Sequence, residues 1–254
     1  PSLLYDINDE LAKKGVEGLT KLKPAPLFSS KNSSLITPCT YDNDLEKLND
    51  CDLIIEAVAE KIEIKHSVYK SLLPHLKDDA ILASNTSGIP LANLVEVLPD
   101  EVQSRFLISH FFNPPRYLRL LELVKGPKTS DEVYHTVTEF GETTLGKGIV
   151  HAKDTPGFIG NRLINASGPL TFHKAMEFGL TVEDVDALSG TLIGNAKSAY
   201  FRTQDVVGLD TALNVMNNMY DRVTTESEEE RQKFKAPDLL VKLVEDGRLG
   251  QKSG

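Results

Sequence analysis

A histidine and a glutamate stand in two successive apolar runs of the sequence. His110 lies in the run 105–112, and Glu122 lies in the run 120–124. Histidine titrates close to neutral pH, so it suits the base that takes the hydroxyl proton when a secondary alcohol is oxidised by hydride transfer. A buried carboxylate that accepts a hydrogen bond from the far ring nitrogen would fix the tautomer of that base.

The two residues by themselves support two interpretations. They lie on successive apolar runs, so we expect that they can meet across adjacent strands. A glutamate inside an apolar run is costly unless it is paired, and this cost favours a catalytic pair. A satisfied core histidine beside an edge-strand glutamate is the alternative, and it is about equally favoured at this point.

Other polar residues favour a ligand site near this pair. The segment 84–87, with the sequence SNTS, directly follows the apolar run AILA, and Asn113 directly follows Phe112. Asn161 stands at the start of a long helical segment. Ligands of open α/β sheets bind outside the carboxyl ends of the strands. An ordinary capped loop and a surface asparagine are the alternatives.

The elements that would position these residues alternate between strands and helices. The apolar runs are short and nearly continuous, which is typical of strands buried on both faces of a parallel sheet. Helical periodicity appears at 9–22, at 63–76, where Ile64, Val68 and Leu72 are spaced by four, and at 130–145. This alternation predicts an α/β fold with a doubly wound, mostly parallel sheet. The predicted strands are 3–7, 52–59, 80–85, 105–112, 119–124 and 148–152.

The pattern changes after residue 153. The Pro-Gly sequence at 154–158 indicates a linker, and the remainder of the chain is predicted to be all-helical. Gly179 suits the C-cap of a long helix at 158–179, and Thr181 with Asp184 resembles a capping box for the next helix. We therefore predict two domains, 1–153 and 154–254, and we expect the helical one to supply a subunit interface.

Composition narrows the class of protein. The 254 residues are 40% hydrophobic and 26% charged, as in an ordinary globular domain, and no apolar run is long enough to span a bilayer. Two cysteines are too few for a disulfide framework or a zinc site, so we expect no metal and a reducing cytoplasm. The net charge of −9 argues against a nucleic-acid surface.

Asp6 raises the question of a dinucleotide. In a dinucleotide-binding unit, an acid at the end of the second strand accepts hydrogen bonds from a ribose hydroxyl, and Asp6 is placed for that role. A turn or capping aspartate is the simpler interpretation of Asp6 alone. A Gly-x-Gly-x-x-Gly loop should precede the acid by about twenty residues, but only five residues precede Asp6 and the motif occurs nowhere else. We therefore expect either a piece of a longer protein or no dinucleotide bound in the usual way.

Four motifs, in order, resemble the L-3-hydroxyacyl-CoA dehydrogenase family. They are SNTS (84–87), SHFFNPP (109–115), LLELVKGPKT (120–129) and LGKGIVHAKDTPGFIGNRL (145–163). The resemblance runs from Asp6 to the end of the chain. The segments 22–30, 193–221 and 247–254 are similar to the branch of the family that is often fused to an enoyl-CoA hydratase module.

The resemblance implies a reaction, a fold and a set of roles. The family oxidises an L-3-hydroxyacyl-CoA thioester to the 3-ketoacyl-CoA with NAD, in fatty-acid β-oxidation. Its fold is a Rossmann-like domain followed by a helical domain that commonly dimerises. The implied catalytic residues are His110 as the base, Glu122 as its orienting partner, and Ser87 and Asn161 as substrate contacts. The implied cofactor-binding residues are Asp6, Glu60, Lys65, Ser87 and Asn113.

The chain departs from the family pattern in two places. The first strand with its glycine loop and a short aromatic-containing C-terminal stretch are missing from the sequence. We therefore expect an N-terminally truncated sheet and weak binding of NAD by this polypeptide. A related hydroxy-acid dehydrogenase and an inactive fragment or structural relative are the alternative interpretations.

Overall fold

The chain folds into two compact units. The computed structural model describes residues 1–224 and 227–254, and these divide into Pro1–Phe158 and Ile159–Gly254. Every strand found in these described ranges belongs to the first unit, whereas the second unit is helical. No helix of the described chain is both long and apolar enough to cross a membrane.

The strands of the first unit hydrogen-bond in two sheets. One sheet pairs β1 with β2, and the other has the order β3-β4-β5-β6-β7. All pairings are parallel except that of β5 with β6, which is antiparallel. The strands are β1 (Ser2–Asp6), β2 (Ile36–Thr40), β3 (Leu53–Glu56), β4 (Ile81–Ser84), β5 (Phe106–Phe111), β6 (Leu120–Lys125) and β7 (Gly148–Ala152).

The central strands are buried on both faces, as their continuous apolar sequences predict. Every residue of β4 and the first five residues of β5 are buried. One face packs on a cluster that includes Leu82, Phe106 and Ile108, and the other face packs on a cluster that includes Leu107 and Leu121. Each such side chain contributes about 1.5–3 kcal/mol on burial. This packing fixes the ends of the strands, where the polar residues lie.

Two helices of the first unit begin at side-chain caps that the sequence supplies. The side chain of Asn8 accepts a hydrogen bond from the amide of Leu11, and Ser130 caps the amide of Val133 in the same way. The helices are α1 (Asp9–Gly18), α2 (Ile62–Leu72), α3 (Leu91–Leu94), α4 (Asp100–Gln103) and α5 (Asp131–Glu139).

The buried face of α2 differs from the apolar stripe in its sequence. Ile64 is 39% exposed, whereas Lys65 and Tyr69 are buried together with Leu72. A lysine and a tyrosine replace apolar residues on this face because both reach a buried carboxylate. The helix therefore delivers polar groups to the ends of the strands.

The helical unit is built on amphipathic segments. Phe172, Met216 and Leu240, from three different helices, form one buried cluster. Gly179 has a positive φ of 62° directly after the first helix, and Thr181 and Asp184 form the capping box of the next, as predicted. The helices are α6 (Gly160–Glu177), α7 (Val182–Ser189), α8 (Phe201–Val207), α9 (Leu209–Arg222), α10 (Glu228–Gln232) and α11 (Asp238–Glu245).

The predicted α/β sheet followed by helices is confirmed, with two local differences. The strand β2 was not predicted, because its sequence ITPCT is half polar and contains Pro38, which suits only the edge of a sheet. The strands also form two sheets and not one, because no strand within 1–224 or 227–254 pairs with both β1 and β3.

Candidate active site

His110 and Glu122 are direct partners across β5 and β6. Opposed residues of an antiparallel pair project to the same face, and His110 Nδ1 lies 2.8 Å from Glu122 Oε2. Their side chains are 5% and 0% exposed. A carboxylate only accepts hydrogen bonds, so Nδ1 carries the proton and Nε2 presents the lone pair of the neutral ring. The predicted meeting of the two residues is confirmed.

Two aromatic rings hold the imidazole from other sides. The ring of Phe112 lies 4.6 Å from that of His110, centroid to centroid, and the ring of Phe158 lies 5.5 Å away. Phe158 is 1% exposed, and its φ of 47° is rare for a residue other than glycine. Such a backbone conformation costs about 1–3 kcal/mol and persists where the surrounding packing determines it. The packing around Phe158 includes its contact with the ring of His110.

A second buried carboxylate, Glu56, ends β3. The residue is 4% exposed and interrupts the apolar run LIIEAV, much as Glu122 interrupts LLELV. The cost of an unpaired buried carboxylate therefore marked Glu56 in the sequence as clearly as it marked Glu122. Four donors contact its two oxygens: the Val58 amide at 2.7 Å, Lys65 Nζ at 2.8 Å, the Tyr69 hydroxyl at 2.9 Å and the Ser84 hydroxyl at 2.7 Å.

Lys65, Glu60 and Ser87 come together beside Glu56. Lys65 Nζ lies 3.3 Å from Glu60 Oε2, and the amide of Ser87 donates to Glu60 Oε1 at 2.9 Å. Partial burial acts to raise the pKa of Glu60, but the hydrogen bonds from Thr86 and Ser87 and the charge of Lys65 outweigh it and lower the pKa. Glu60 is therefore held as a carboxylate between a lysine and the loop after β4.

The loop after β4 is tied to the strand that carries His110. The side-chain oxygen of Asn85 accepts the amide of Phe111 at 2.9 Å, and the amide of Asn85 donates to the carbonyl of Glu56 at 2.7 Å. The carboxyl ends of β3, β4 and β5 are thus joined by hydrogen bonds. His110, Ser87 and the Glu56 cluster belong to one continuous polar region.

The other predicted site residues belong to other parts of the chain. Asp6 ends β1 in the other sheet, where its carboxylate accepts the amide of Ile7. Asn113 is exposed just after β5. Asn161 lies in the first turn of α6, in the second unit.

A dinucleotide fits part of this arrangement. The half-buried carboxylate of Asp6 at the end of a parallel strand suits the hydroxyl groups of a ribose. A glycine-rich loop that opens a helix, the usual site for the pyrophosphate, is not found in the part of the chain that the structure describes. The same part of the chain contains no group of three or more metal-binding side chains placed to hold an ion.

Two family models cover nearly the whole chain. Residues 2–155 match the model described as "3-hydroxyacyl-CoA dehydrogenase, NAD binding domain", and residues 157–254 match "3-hydroxyacyl-CoA dehydrogenase, C-terminal domain". The family predicted from the motifs is therefore confirmed, and with it the NAD cofactor of the family.

Named relatives agree with the family models. A probable 3-hydroxyacyl-CoA dehydrogenase of Bacillus subtilis is 42% identical over 98% of this chain and 31% of the relative. A putative fatty acid oxidation complex trifunctional enzyme of Rickettsia felis is 38% identical over 97% of this chain and 34% of the relative. The chain thus spans about a third of the length of these two relatives.

A solved structure extends the likeness to the fold. The (S)-3-hydroxybutyryl-CoA dehydrogenase PaaH1 of Ralstonia eutropha aligns with a TM-score of 0.79 at 29% identity, over 99% of this chain and 87% of that one. Sequence motifs, domain models and fold agree, and the chain belongs to the 3-hydroxyacyl-CoA dehydrogenase family.

Proposed function

We propose that the chain is the dehydrogenase module of an enzyme that oxidises L-3-hydroxyacyl-CoA thioesters to 3-ketoacyl-CoA with NAD, a step of fatty-acid β-oxidation. The observation that carries the proposal is the buried His110–Glu122 pair in a chain of this family. NAD, when bound, supplies the acceptor for the hydride that leaves C3 of the substrate. The other steps of the proposed reaction are carried out by side chains of the protein.

His110 is the general base of the proposed reaction. Its Nε2 takes the proton of the 3-hydroxyl group as the hydride departs, and it returns that proton to the carbonyl in the reverse reaction. The ring is then an imidazolium with both nitrogens protonated. Glu122 stabilises that charge through the 2.8 Å contact with Nδ1 and keeps the ring in the productive tautomer.

The remaining roles follow from family membership and stay proposals. We assign Ser87 and Asn161 to substrate contacts, and Asp6, Glu60, Lys65, Ser87 and Asn113 to the cofactor site. We also propose that residues 1–153 form the cofactor-binding domain and 154–254 the helical domain.

We propose three kinds of partner: a substrate, a hydratase module and a second copy of the chain. The substrate is an acyl-CoA thioester, and the name and length of the Rickettsia felis relative support fusion or association with a hydratase module. A homodimer through the helical unit is supported by apolar side chains that this unit exposes, among them Leu163 and Phe178. Sizing chromatography that gives a stable monomer would remove the dimer.

The two free cysteines, Cys39 and Cys51, support a cytoplasmic location.

Turnover of thioesters tests the proposed function. NADH formation from 3-hydroxybutyryl-CoA and NADH consumption with acetoacetyl-CoA are measured for two proteins: the 254-residue chain, and the same chain preceded by a family strand and glycine-rich loop. We expect turnover in the second protein. Absence of turnover there would refute the enzyme, and turnover of free hydroxy acids without thioesters would favour a related hydroxy-acid dehydrogenase.

A further inference from the structure

Lys65 is a buried lysine whose ammonium group faces two carboxylates. Its side chain is 1% exposed, and its ammonium group lies 2.8 Å from Glu56 and 3.3 Å from Glu60. Burying a charge is expensive unless the charge is paired and hydrogen-bonded, and here both carboxylates supply the pairing. The hydrogen-bonding capacity of this lysine is therefore directed at the protein itself.

Glu56 is saturated in the same way. Each of its oxygens receives two hydrogen bonds, and the donors come from the segment after β3, from α2 and from β4. A carboxylate so engaged has no oxygen left for a ligand. It fixes the position of Lys65, and Lys65 in turn fixes Glu60.

Glu60 transmits this order to the loop after β4. Its Oε1 accepts the hydroxyl of Thr86 at 2.6 Å and the amide of Ser87 at 2.9 Å. The Thr86 hydroxyl also accepts the amide of Ile89 at 3.0 Å. The backbone on both sides of Ser87 is therefore held by a chain of contacts that begins at Glu56.

We propose that Glu56 and Lys65 are positioning residues: acting through Glu60, they set the backbone of Ser87, a task separate from the place of Lys65 in the cofactor site proposed above. The proposal rests on the proposed function in one respect, since it takes Ser87 as a contact of the substrate and nicotinamide. Buried ionic groups are retained in some proteins because they specify a single arrangement, and the loop at Ser87 is the arrangement specified here.

Amide hydrogen exchange in the cofactor-free chain is the first test. In Lys65→Met, exchange at the Ser87 amide should accelerate by at least about tenfold, since its acceptor loses the cation that holds it. Lys70→Met, the same substitution at an exposed position of α2, should leave that rate unchanged. The double variant Glu56→Gln/Lys65→Met removes both charges and covers the case in which the single variant fails to fold. It should also accelerate exchange at Ser87.

A double-mutant cycle is the second test, in whichever protein turns over thioester. Lys65→Met should lower kcat/KM by about tenfold alone but by less than about twofold in a Ser87→Ala background, because residues that act through one another are not additive. A merely structural lysine would give the same factor in both backgrounds.

Several outcomes would overturn the proposal. One is unchanged exchange at the Ser87 amide in both variants, and another is equal acceleration at all amides of the first unit. Additive effects in the double-mutant cycle are a third. The last is a weaker dissociation constant for NADH while the Ser87 amide stays protected. That result would leave Lys65 with a contact to the dinucleotide as its only role. Exchange needs neither substrate nor turnover, so its result stands even if the proposed function fails.

Discussion

Two buried glutamates serve this sheet in different ways. Glu122, inside β6, hydrogen-bonds His110, whose imidazole is the side-chain type best suited to take up and release a proton in catalysis. Glu56, at the end of β3, is contacted by an amide, a lysine, a tyrosine and a serine. Burial raises the pKa of Tyr69 further from neutrality, and the Glu56 carboxylate adds to this effect. None of the four donors to Glu56 is an imidazole.

The difference lies in the partners and not in the glutamates. Both residues interrupt apolar strands, and both are almost fully buried. Pairing with an imidazole directs the charge of Glu122 toward a ring that can react. Pairing with fixed donors turns Glu56 into a junction between three elements. We therefore expect substitutions near Glu122 to change the rate and substitutions at Glu56 to change stability.

Removing the base should give the largest effect. His110→Gln should lower kcat by roughly two to four orders of magnitude, the usual contribution of a positioned base. Steady-state kinetics in the protein that turns over thioester provide the measurement. His135→Gln, at an exposed position of α5, is the control and should keep full activity. A loss below about tenfold, well under that range, would remove His110 from the role of base.

Removing the charge of Glu56 should cost stability instead. Glu56→Gln leaves the buried ammonium of Lys65 without its nearest counter-charge, and breaking such a pair typically lowers the free energy of unfolding by about 3–5 kcal/mol. Urea denaturation of the cofactor-free chain measures this, with Glu63→Gln at an exposed position of α2 as control. A change below about 1 kcal/mol, as for a surface pair, would contradict the junction role.

Of the two buried glutamates, Glu122 is predicted better from the sequence than Glu56 is. The order of the apolar runs predicts that His110 and Glu122 can meet across adjacent strands, and the register of β5 and β6 places them directly opposite each other. The Glu56 cluster was not predicted, since its donors come from Lys65, Tyr69 and Ser84, which are brought together only by packing. The stripe Ile64, Val68 and Leu72 indicated a different buried face for α2, because a period cannot show that a lysine will be paired.

Two features of the backbone are likewise not predicted, because they depend on contacts between residues distant in the sequence. The strand β2 is not predicted, because it pairs with β1, which is distant in the sequence. A segment of five residues that contains a proline gives no local signal for a strand. The sequence predicts Phe158 only as the junction of the linker 154–158 and the long helix 158–179. Its positive φ and its contact with His110 depend on the whole core around it, which no local pattern encodes.

Neutralising Glu122 should lower the rate, whereas Glu56→Gln should lower the stability. In Glu122→Gln the amide no longer compensates the imidazolium, and its NH₂ group can donate to Nδ1 and place the ring proton on Nε2. We expect kcat to fall by about 100-fold, the lower end of the range for base catalysis, with a smaller change in KM. Kinetics and urea denaturation of the two glutamine variants are compared directly. If Glu56→Gln lowers kcat more than Glu122→Gln does, the division of roles is wrong.

The smallest effect should come from Glu60, the partly exposed end of the Glu56 cluster. Its pKa is lowered in the folded protein, so the unfolded chain binds a proton at higher pH than the folded chain does. The resulting stability is fully present above the ordinary glutamate pKa of about 4.3, and it is lost as the pH falls through the lower folded value. Glu60→Gln should therefore flatten the acid side of the stability profile below that pH while Glu63→Gln follows the wild type. Urea midpoints between neutral and acidic pH measure the slopes, and identical slopes for wild type and Glu60→Gln would show that the loop after β4 gains nothing from this carboxylate.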